Sequence, residues 1–193
     1  MNSFDEKTLI EKAKNDPQAF GQLYSIYYSR ILNYVIHRTA SVATAQDITS
    51  EVFYKVMTQL HRFQWRDIPF SVWVYKIASN EVANSFRSKE KKFYSLEWLT
   101  EKKHFEPVGV NDLEQEIVEA EEDVFKHHNF IKVHTQLLNL PLLYQEVIVL
   151  RFFEKKKIAE ISEITGKNIN TIKSLLARGI VKLREKVFSE IDK

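Results

Sequence analysis

Residues 165–179 read TGKNINTIKSLLARG. An apolar pattern of helical spacing stops at Gly166 and restarts at Ile169, and polar residues then stand among the apolar ones: Asn170, Thr171, Lys173, Ser174, Arg178. Glycine suits a helix end that closes in the left-handed conformation. The spacing predicts a helix over Ile158–Thr165, a short turn, and a second helix from about Thr171 to Val187. At 100° per residue, Ile172, Leu176 and Leu183 of the second helix turn inward. Lys173, Ser174, Ala177 and Arg178 turn outward, with Thr171 near the N-terminus.

Two helices meeting at a glycine-bearing turn fit either an αα-hairpin in a bundle or a DNA-binding helix-turn-helix. Ser162, Gly166 and Ile172 occupy the tight-contact, turn and core positions of the latter. The outward face favours DNA, because a first turn of small polar residues reaches base edges while Lys and Arg meet phosphate.

The rest of the chain is consistent with helices. Four Gly and four Pro among 193 residues leave few breaks in the long i, i+3, i+4 patterns, so the expected class is all-α. There is no Cys, which excludes disulfides, thiolate metal sites and a cysteine nucleophile. The start, MNSFDEKTLIEKAKNDP, is charged, and no run approaches the ~18 apolar residues of a membrane span. Without membrane insertion, the expected location is the cytoplasm. The net charge of +2 conceals a segregation. Residues 1–93 hold 13 Lys/Arg against 9 Asp/Glu, 94–128 hold 3 against 10, and 129–193 hold 12 against 7. Two basic blocks flank an acidic one, as suits a polyanion partner.

In the first block, Thr8–Asn15 reads as a short helix. Asp16-Pro17 then caps a longer one, with Pro at the first helical position. It carries Phe20, Leu23, Tyr24, Tyr27, Ile31, Tyr34 and Val35 as a core stripe, with Tyr28 outside it. Thr44 is the expected cap of a third helix. Ile48, Val52, Val56 and Leu60 fall on one side of that helix, and Asp47, Glu51, Tyr54 and Thr58 on the other. The outer strip suits either a docking surface or a solvated face. RFQWRDIPF (62–70) interrupts the pattern, since Pro69 disfavours helix at Ile68. A helix resumes through VWVYKIASNEVANSFRSKEKK. Val74, Ala78, Val82 and Phe86 share its inner face. Lys76, Asn80, Asn84 and Arg87 line the outer face, where amides suit base edges and cations suit phosphate. Phe63, Trp65 and Phe70 are candidates for stacking on unpaired bases, Phe70 being the best suited of these to the core.

Residues 94–134 read as an acidic linker with a helical stretch around 112–126. Adjacent His127 and His128 cannot share a helix face, so no metal site is expected there with His134. Leu140-Pro141 opens a further helix carrying Leu143, Val147, Leu150 and Phe153. No glycine-rich phosphate loop, metal constellation or nucleophile–base spacing appears, so neither an enzyme nor a cofactor is expected.

The segment LPLLYQEVIVLRFFE…IAEISEITGKNINTIKSLLARGIVKLRE resembles the C-terminal domain of the extracytoplasmic-function sigma factors of bacterial RNA polymerase, within the sigma-70 superfamily. AFGQLYSIYY, AQDITSEVFYKV and FSVWVYKIASNEVANSFRSKEK resemble the other domain of that family, in family order. The resemblance covers nearly all of 5–92 and 135–187. It implies two helical domains, 1–93 and 135–193, with an acidic linker at 94–134. Asp47, Glu51 and Tyr54 would dock on the polymerase core. Trp65, Lys76, Asn80, Asn84 and Arg87 would read the minus-ten element of promoter DNA. Thr171, Lys173, Ser174 and Arg178 would read the minus-thirty-five element. An anti-sigma factor is a further implied partner. Three departures stand out: Leu175 where many members carry a basic residue, Gly179 in mid-helix, and Asp67-Ile68-Pro69 in place of a commoner glycine-containing loop. The helix-turn-helix alone would equally suit a stand-alone regulator that binds duplex DNA without polymerase.

Overall fold

The computed structural model describes residues 3–65, 68–93 and 132–188. The helical stretch expected around 112–126 and the pair His127-His128 lie outside those residues. Among the described residues there are helices and no strands.

Helix α1 (Ser3–Ala13) starts ahead of the expected Thr8. Asp16 caps α2 (Pro17–Thr39), its carboxylate accepting from the Gln18 N–H at 2.8 Å, with Pro17 in the first turn as expected. Ser41, not Thr44, caps α3 (Val42–Gln59): the Ser41 hydroxyl accepts from the Thr44 N–H at 3.3 Å. Hydroxyl residues are frequent near helix starts, and only the backbone conformation decides which one lies just outside. A 3₁₀ turn over Leu60–Arg62 leads into the loop, and α4 runs over Phe70–Phe93.

α2, α3 and α4 pack against one another, and α1 packs on α2. Leu23, Tyr27, Ile31, Tyr34 and Val35 of α2 are buried with Ile48, Val52 and Val56 of α3 and Phe70, Val74, Ala78 and Val82 of α4. Tyr24 departs from its expected place in the core: it is 39% exposed and stacks on Tyr28 with ring centroids 5.0 Å apart. Phe63, a stacking candidate by sequence, is buried against Phe70 and Trp73, both centroids 5.1 Å away. An aromatic residue beside a helix end closes the bottom of the bundle when the chain turns back.

After a helical segment over 132–138 (α5), Pro141 precedes α6 (Leu142–Ile148). α6 widens into a π turn over Val149–Phe153, and the Glu154 N–H bonds the Val149 carbonyl at 3.0 Å. The insertion shifts the phase of the stripe. Leu143, in the first turn of α6 and ahead of the π turn, is 50% exposed rather than buried, while Val147, Ile148, Val149 and Leu150 are all buried. α7 (Ile158–Thr165) and α8 (Ile169–Phe188) follow, and α8 packs on both α6 and α7.

Candidate nucleic-acid interface

The turn between α7 and α8 has the expected form. Gly166 is left-handed at φ 68°. The Ser162 hydroxyl donates to the Lys167 carbonyl at 2.6 Å and braces the turn. Asn168 closes the start of α8: its side-chain oxygen accepts from the Thr171 N–H at 2.8 Å and the Thr171 hydroxyl at 3.0 Å. This cap has little signal in the sequence, because Ile169 and Asn170 follow it before the apolar phase is clear. Ile172, Leu175 and Leu176 are buried. Leu175 is thus a core residue of this domain, 8% exposed, and lies off the outward face. The glycine at 179 is a close approach. A Cβ there would lie 3.1 Å from Ile148 Cδ1 and 3.2 Å from Tyr144 Cδ1, so α8 meets α6 at its backbone.

The outward face of α8 holds Lys173 and Arg178, both exposed, with Thr171 and Ser174 half-buried beside an open cleft lined by Ser162, Asn168, Ile169 and Asn170. Arg178 lies along its own helix. Its Nη2 donates to the Ser174 hydroxyl at 3.1 Å and its Nε to the Ser174 carbonyl at 3.3 Å.

On α4, Lys76, Asn80, Asn84 and Arg87 are all exposed on one side, as the helical phase predicts, while Val74, Ala78 and Val82 are buried on the other. Lys76 also borders a cleft of about 270 Å³ formed with Arg62, Phe63, Gln64, Ile68, Pro69, Val72 and Trp73. One wall of this cleft is Glu163 of α7. Trp65 is half-buried and packs against the edge of the core.

On α3, Asp47, Glu51 and Tyr54 are exposed, Tyr54 at 58%, with Met57 beside them also exposed. Glu51 is not an isolated carboxylate: Lys55 Nζ lies 3.4 Å from it and 2.9 Å from Glu81 of α4. The hydrogen bond to Glu81 is the main cause that raises the Lys55 ammonium above its ordinary pKa.

The helix-turn-helix half rests on α4 and on the end of α2. Ser79 donates to Glu146, and Arg38 Nη1 lies 3.9 Å from the same carboxylate. Tyr75 donates to Glu154. Lys156 Nζ donates to the Ser71 hydroxyl at 3.2 Å and sits 4.3 Å from the Tyr75 ring centroid. His37 and His134 face each other, Nδ1 to Nε2, at 3.3 Å, and Phe153 lies against His37 with centroids 4.4 Å apart. Burial, and then the neighbouring His134, lower the His37 imidazole to about 4. Burial also lowers His134 and raises Glu154.

Among the described residues no group of three or more His, Cys, Asp or Glu is placed to hold a metal, and no helix is long and apolar enough to cross a membrane.

This pair of helical units matches known families. Residues 23–92 match sigma-70 region 2, and residues 130–183 match sigma-70 region 4. The RNA polymerase sigma factor SigV of Bacillus subtilis is 30% identical over 146 residues, which are 76% of this chain and 77% of that protein. The extracytoplasmic-function sigma factor SigW of the same organism is 27% identical over 193 residues, 97% of this chain and 98% of that protein. The extracytoplasmic-function sigma factor BldN of Streptomyces coelicolor is 30% identical over 173 residues, and the chain spans 62% of its length. Among solved structures, the Bartonella quintana sigma factor RpoE, in complex with the anti-sigma factor NepR, has the same fold. Its TM-score is 0.66 at 18% identity, over 90% of this chain and 98% of that one. The chain belongs to the extracytoplasmic-function sigma factors of the sigma-70 family, the promoter-directing factors of transcription initiation.

Proposed function

We propose that this chain binds the core of bacterial RNA polymerase and divides promoter reading between two domains, 1–93 and 135–193, joined by the acidic linker 94–134. The observation that carries this is the presence of two separate exposed faces of amides, hydroxyls and cations, on α4 and on α8. Lys76, Asn80, Asn84, Arg87 and the half-buried Trp65 hold the minus-ten element and its opened strand. Arg and aromatic groups suit unpaired bases, each stack contributing about 1–3 kcal/mol. Thr171, Lys173, Ser174 and Arg178 read the minus-thirty-five duplex from the major groove, which admits one helix. Two modest readers on one tether gain effective concentration over either alone. The strip Asp47, Glu51 and Tyr54 docks on polymerase; an aromatic residue one turn beyond two carboxylates offers apolar area beside charge.

The chain catalyses no reaction itself and works in the cytoplasm. An anti-sigma factor is a further partner, since the Bartonella relative of the same fold was solved with one. Run-off transcription with core polymerase and genomic fragments tests the whole assignment: chain-dependent transcripts are expected, and their absence with binding to duplex DNA intact would leave a stand-alone regulator. For docking, Asp47→Ala with Glu51→Ala is expected to weaken core binding without unfolding, as exposed positions usually shift stability by less than ~0.5 kcal/mol. Asn80→Ala is expected to reduce promoter opening, read by permanganate reactivity of thymines, more than closed-complex binding; equal loss at both stages removes its role in melting.

A further inference from the structure

We infer that Thr171 and Ser174 meet DNA only as hydrogen-bond acceptors, and that α8 thereby selects amino bases, adenine or cytosine, at two positions of one strand. Asn168 is the positioning residue that imposes this at Thr171. This rests on the reading of α8 as the minus-thirty-five helix and adds which bases its two hydroxyls accept. The Thr171 N–H can only donate, and it donates to the Asn168 side chain at 2.8 Å. The atom it meets is therefore the amide oxygen, Oδ1. The Thr171 hydroxyl lies 3.0 Å from the same oxygen. That oxygen has no proton to give, so the one hydroxyl proton points back at Asn168. What Thr171 keeps for DNA is lone pairs. At Ser174 the hydroxyl lies 3.0 Å from the Thr171 carbonyl, again an acceptor, and its proton is used there. One of its lone pairs takes Arg178 Nη2 at 3.1 Å, which leaves the other.

Both hydroxyls are half-buried and border the open cleft at the start of α8, the end of a recognition helix that meets base edges. In the major groove each base pair shows one exocyclic amine and, across from it, one keto oxygen. Adenine N6 faces thymine O4, and cytosine N4 faces guanine O6. An acceptor placed there pairs with the amine and meets a keto oxygen lone pair to lone pair. Two fixed acceptors therefore do not tell adenine from cytosine; they tell which strand carries the amine. Lys173 and Arg178 only donate, so contacts to phosphate or guanine fall to them. Asn170, exposed at the same cleft, carries both a donor and an acceptor and imposes no such rule. The tie at Thr171 is firm because Asn168 also caps the helix, its carbonyl receiving the Ile172 N–H at 3.0 Å. Turning the Thr171 proton outward would leave two oxygens 3.0 Å apart with no proton between them. Ser174 is held less firmly, since the Thr171 carbonyl is also an acceptor within the helix ladder. The rule is thus stricter at the Thr171 position.

The test uses the full chain assembled with core polymerase and a duplex DNA pool randomised over the length of a promoter. Selection is expected to give two positions of one strand held by adenine or cytosine, one lost in Thr171→Val and the other in Ser174→Ala. On a selected duplex, replacing that adenine by purine, or that cytosine by 2-pyrimidinone, removes only the amine. The parent should bind the altered duplex about tenfold more weakly, the usual scale for one wrong base, and the matching variant should be indifferent. Asn168→Gly keeps a residue that caps helices well but releases the Thr171 proton. It should admit guanine or thymine at the Thr171 position and leave the Ser174 position unchanged. Asn168→Asp keeps both acceptor bonds to Thr171 and should keep the rule, at lower affinity because a carboxylate then stands near phosphate. Guanine or thymine selected by the parent at either position overturns the acceptor rule there and leaves base reading by α8 standing. An unchanged preference in Asn168→Gly overturns the positioning role. Parent preferences that neither Thr171→Val nor Ser174→Ala alters, in chains that keep their helical content, remove base reading by these residues and the inference with it.

Discussion

The two helices proposed to read DNA are built differently. On α8 the polar groups are tied to neighbouring side chains: the Thr171 hydroxyl donates to the Asn168 side-chain oxygen at 3.0 Å, and Arg178 Nη2 to the Ser174 hydroxyl at 3.1 Å. On α4 the corresponding groups are loosely held. Asn84 reaches Glu81 at 3.4 Å, and Arg87 reaches the Ala83 carbonyl at the same distance. A duplex groove presents a fixed pattern of donors and acceptors, so a reader with its side chains already placed loses less freedom on binding. An unpaired strand has no fixed geometry, and a stripe of loosely held amides and cations can follow it. The packing beneath differs in the same sense. α8 meets α6 backbone to side chain at Gly179, whereas α4 sits in a bundle closed by Phe63, Phe70 and Trp73.

That contrast breaks most easily at the helix-turn-helix core. Ile172 is fully buried, and Ile172→Ala is expected to destabilise the C-terminal half by about 2–5 kcal/mol. Trp65 and Trp73 both lie in the N-terminal half, so their fluorescence should stay folded while part of the circular dichroism signal melts early. A single coincident transition would mean that the two halves unfold as one. Gly179→Ala comes next. The added methyl gains up to ~1 kcal/mol of helix propensity, but it presses on Ile148 and on the rigid Cβ of Tyr144 at 3.3 Å. Overpacking costs typically 1–3 kcal/mol, so a net loss of about 1 kcal/mol is expected in urea denaturation. A gain would show that α6 gives way.

Acid sharpens the comparison by acting on the contact between the halves. The His37 imidazole titrates near 4 in the folded chain against 6.5 when free. The closed form thus binds fewer protons, and its stability is complete above 6.5 and falls as pH drops toward 4. His134 is lowered too and adds in the same sense. Glu154 opposes them, because its carboxyl is raised above 4.5 by burial and is relieved by protonation. Lys156, lowered by burial, also stands at the contact, with Glu146 and Arg38. Domain separation, read as the distance between spin labels at introduced Gln46→Cys and Lys182→Cys, should therefore increase as pH falls below 6.5, and His37→Leu should reduce that rise to the part carried by His134. A rise unchanged in His37→Leu would place the acid response elsewhere. The smallest effect is expected at Lys155, which is left-handed at φ 53° just past the π turn. Lys155→Gly relieves roughly 1–2 kcal/mol of backbone strain and returns part of it as lost chain entropy of about 0.5–1 kcal/mol. A rise in melting temperature of a few degrees is expected, and a fall would mean that the Lys side chain is needed there.

Much of the site was legible because a helix repeats every few residues. The stripe Lys76, Asn80, Asn84, Arg87 and the outward set Lys173, Arg178 follow from phase alone, and all six are exposed. Asp16-Pro17 and Gly166 announced their helix ends through local backbone chemistry. The misreadings fall where phase alone does not tell what covers a side chain. Leu143 keeps the phase of Val147 but stands in the first turn of α6 and is exposed. Tyr24 lies at the edge of a stripe too wide for its partners to cover. Leu175, a departure from a family pattern of basic residues, presents nothing outward because α8 turns it into the core.

By itself, the sequence determined the helices, their polar faces and the turn at Gly166, since each depends on contacts within a few residues. Only the tertiary structure decided what lies against α4 and the cleft beside Lys76. Ser79 meets Glu146 across 67 positions, Tyr75 meets Glu154 across 79, and His37 meets His134 across 97. Contacts so distant leave no period in the sequence. They follow from how two separately formed helical units bury their remaining polar groups against each other.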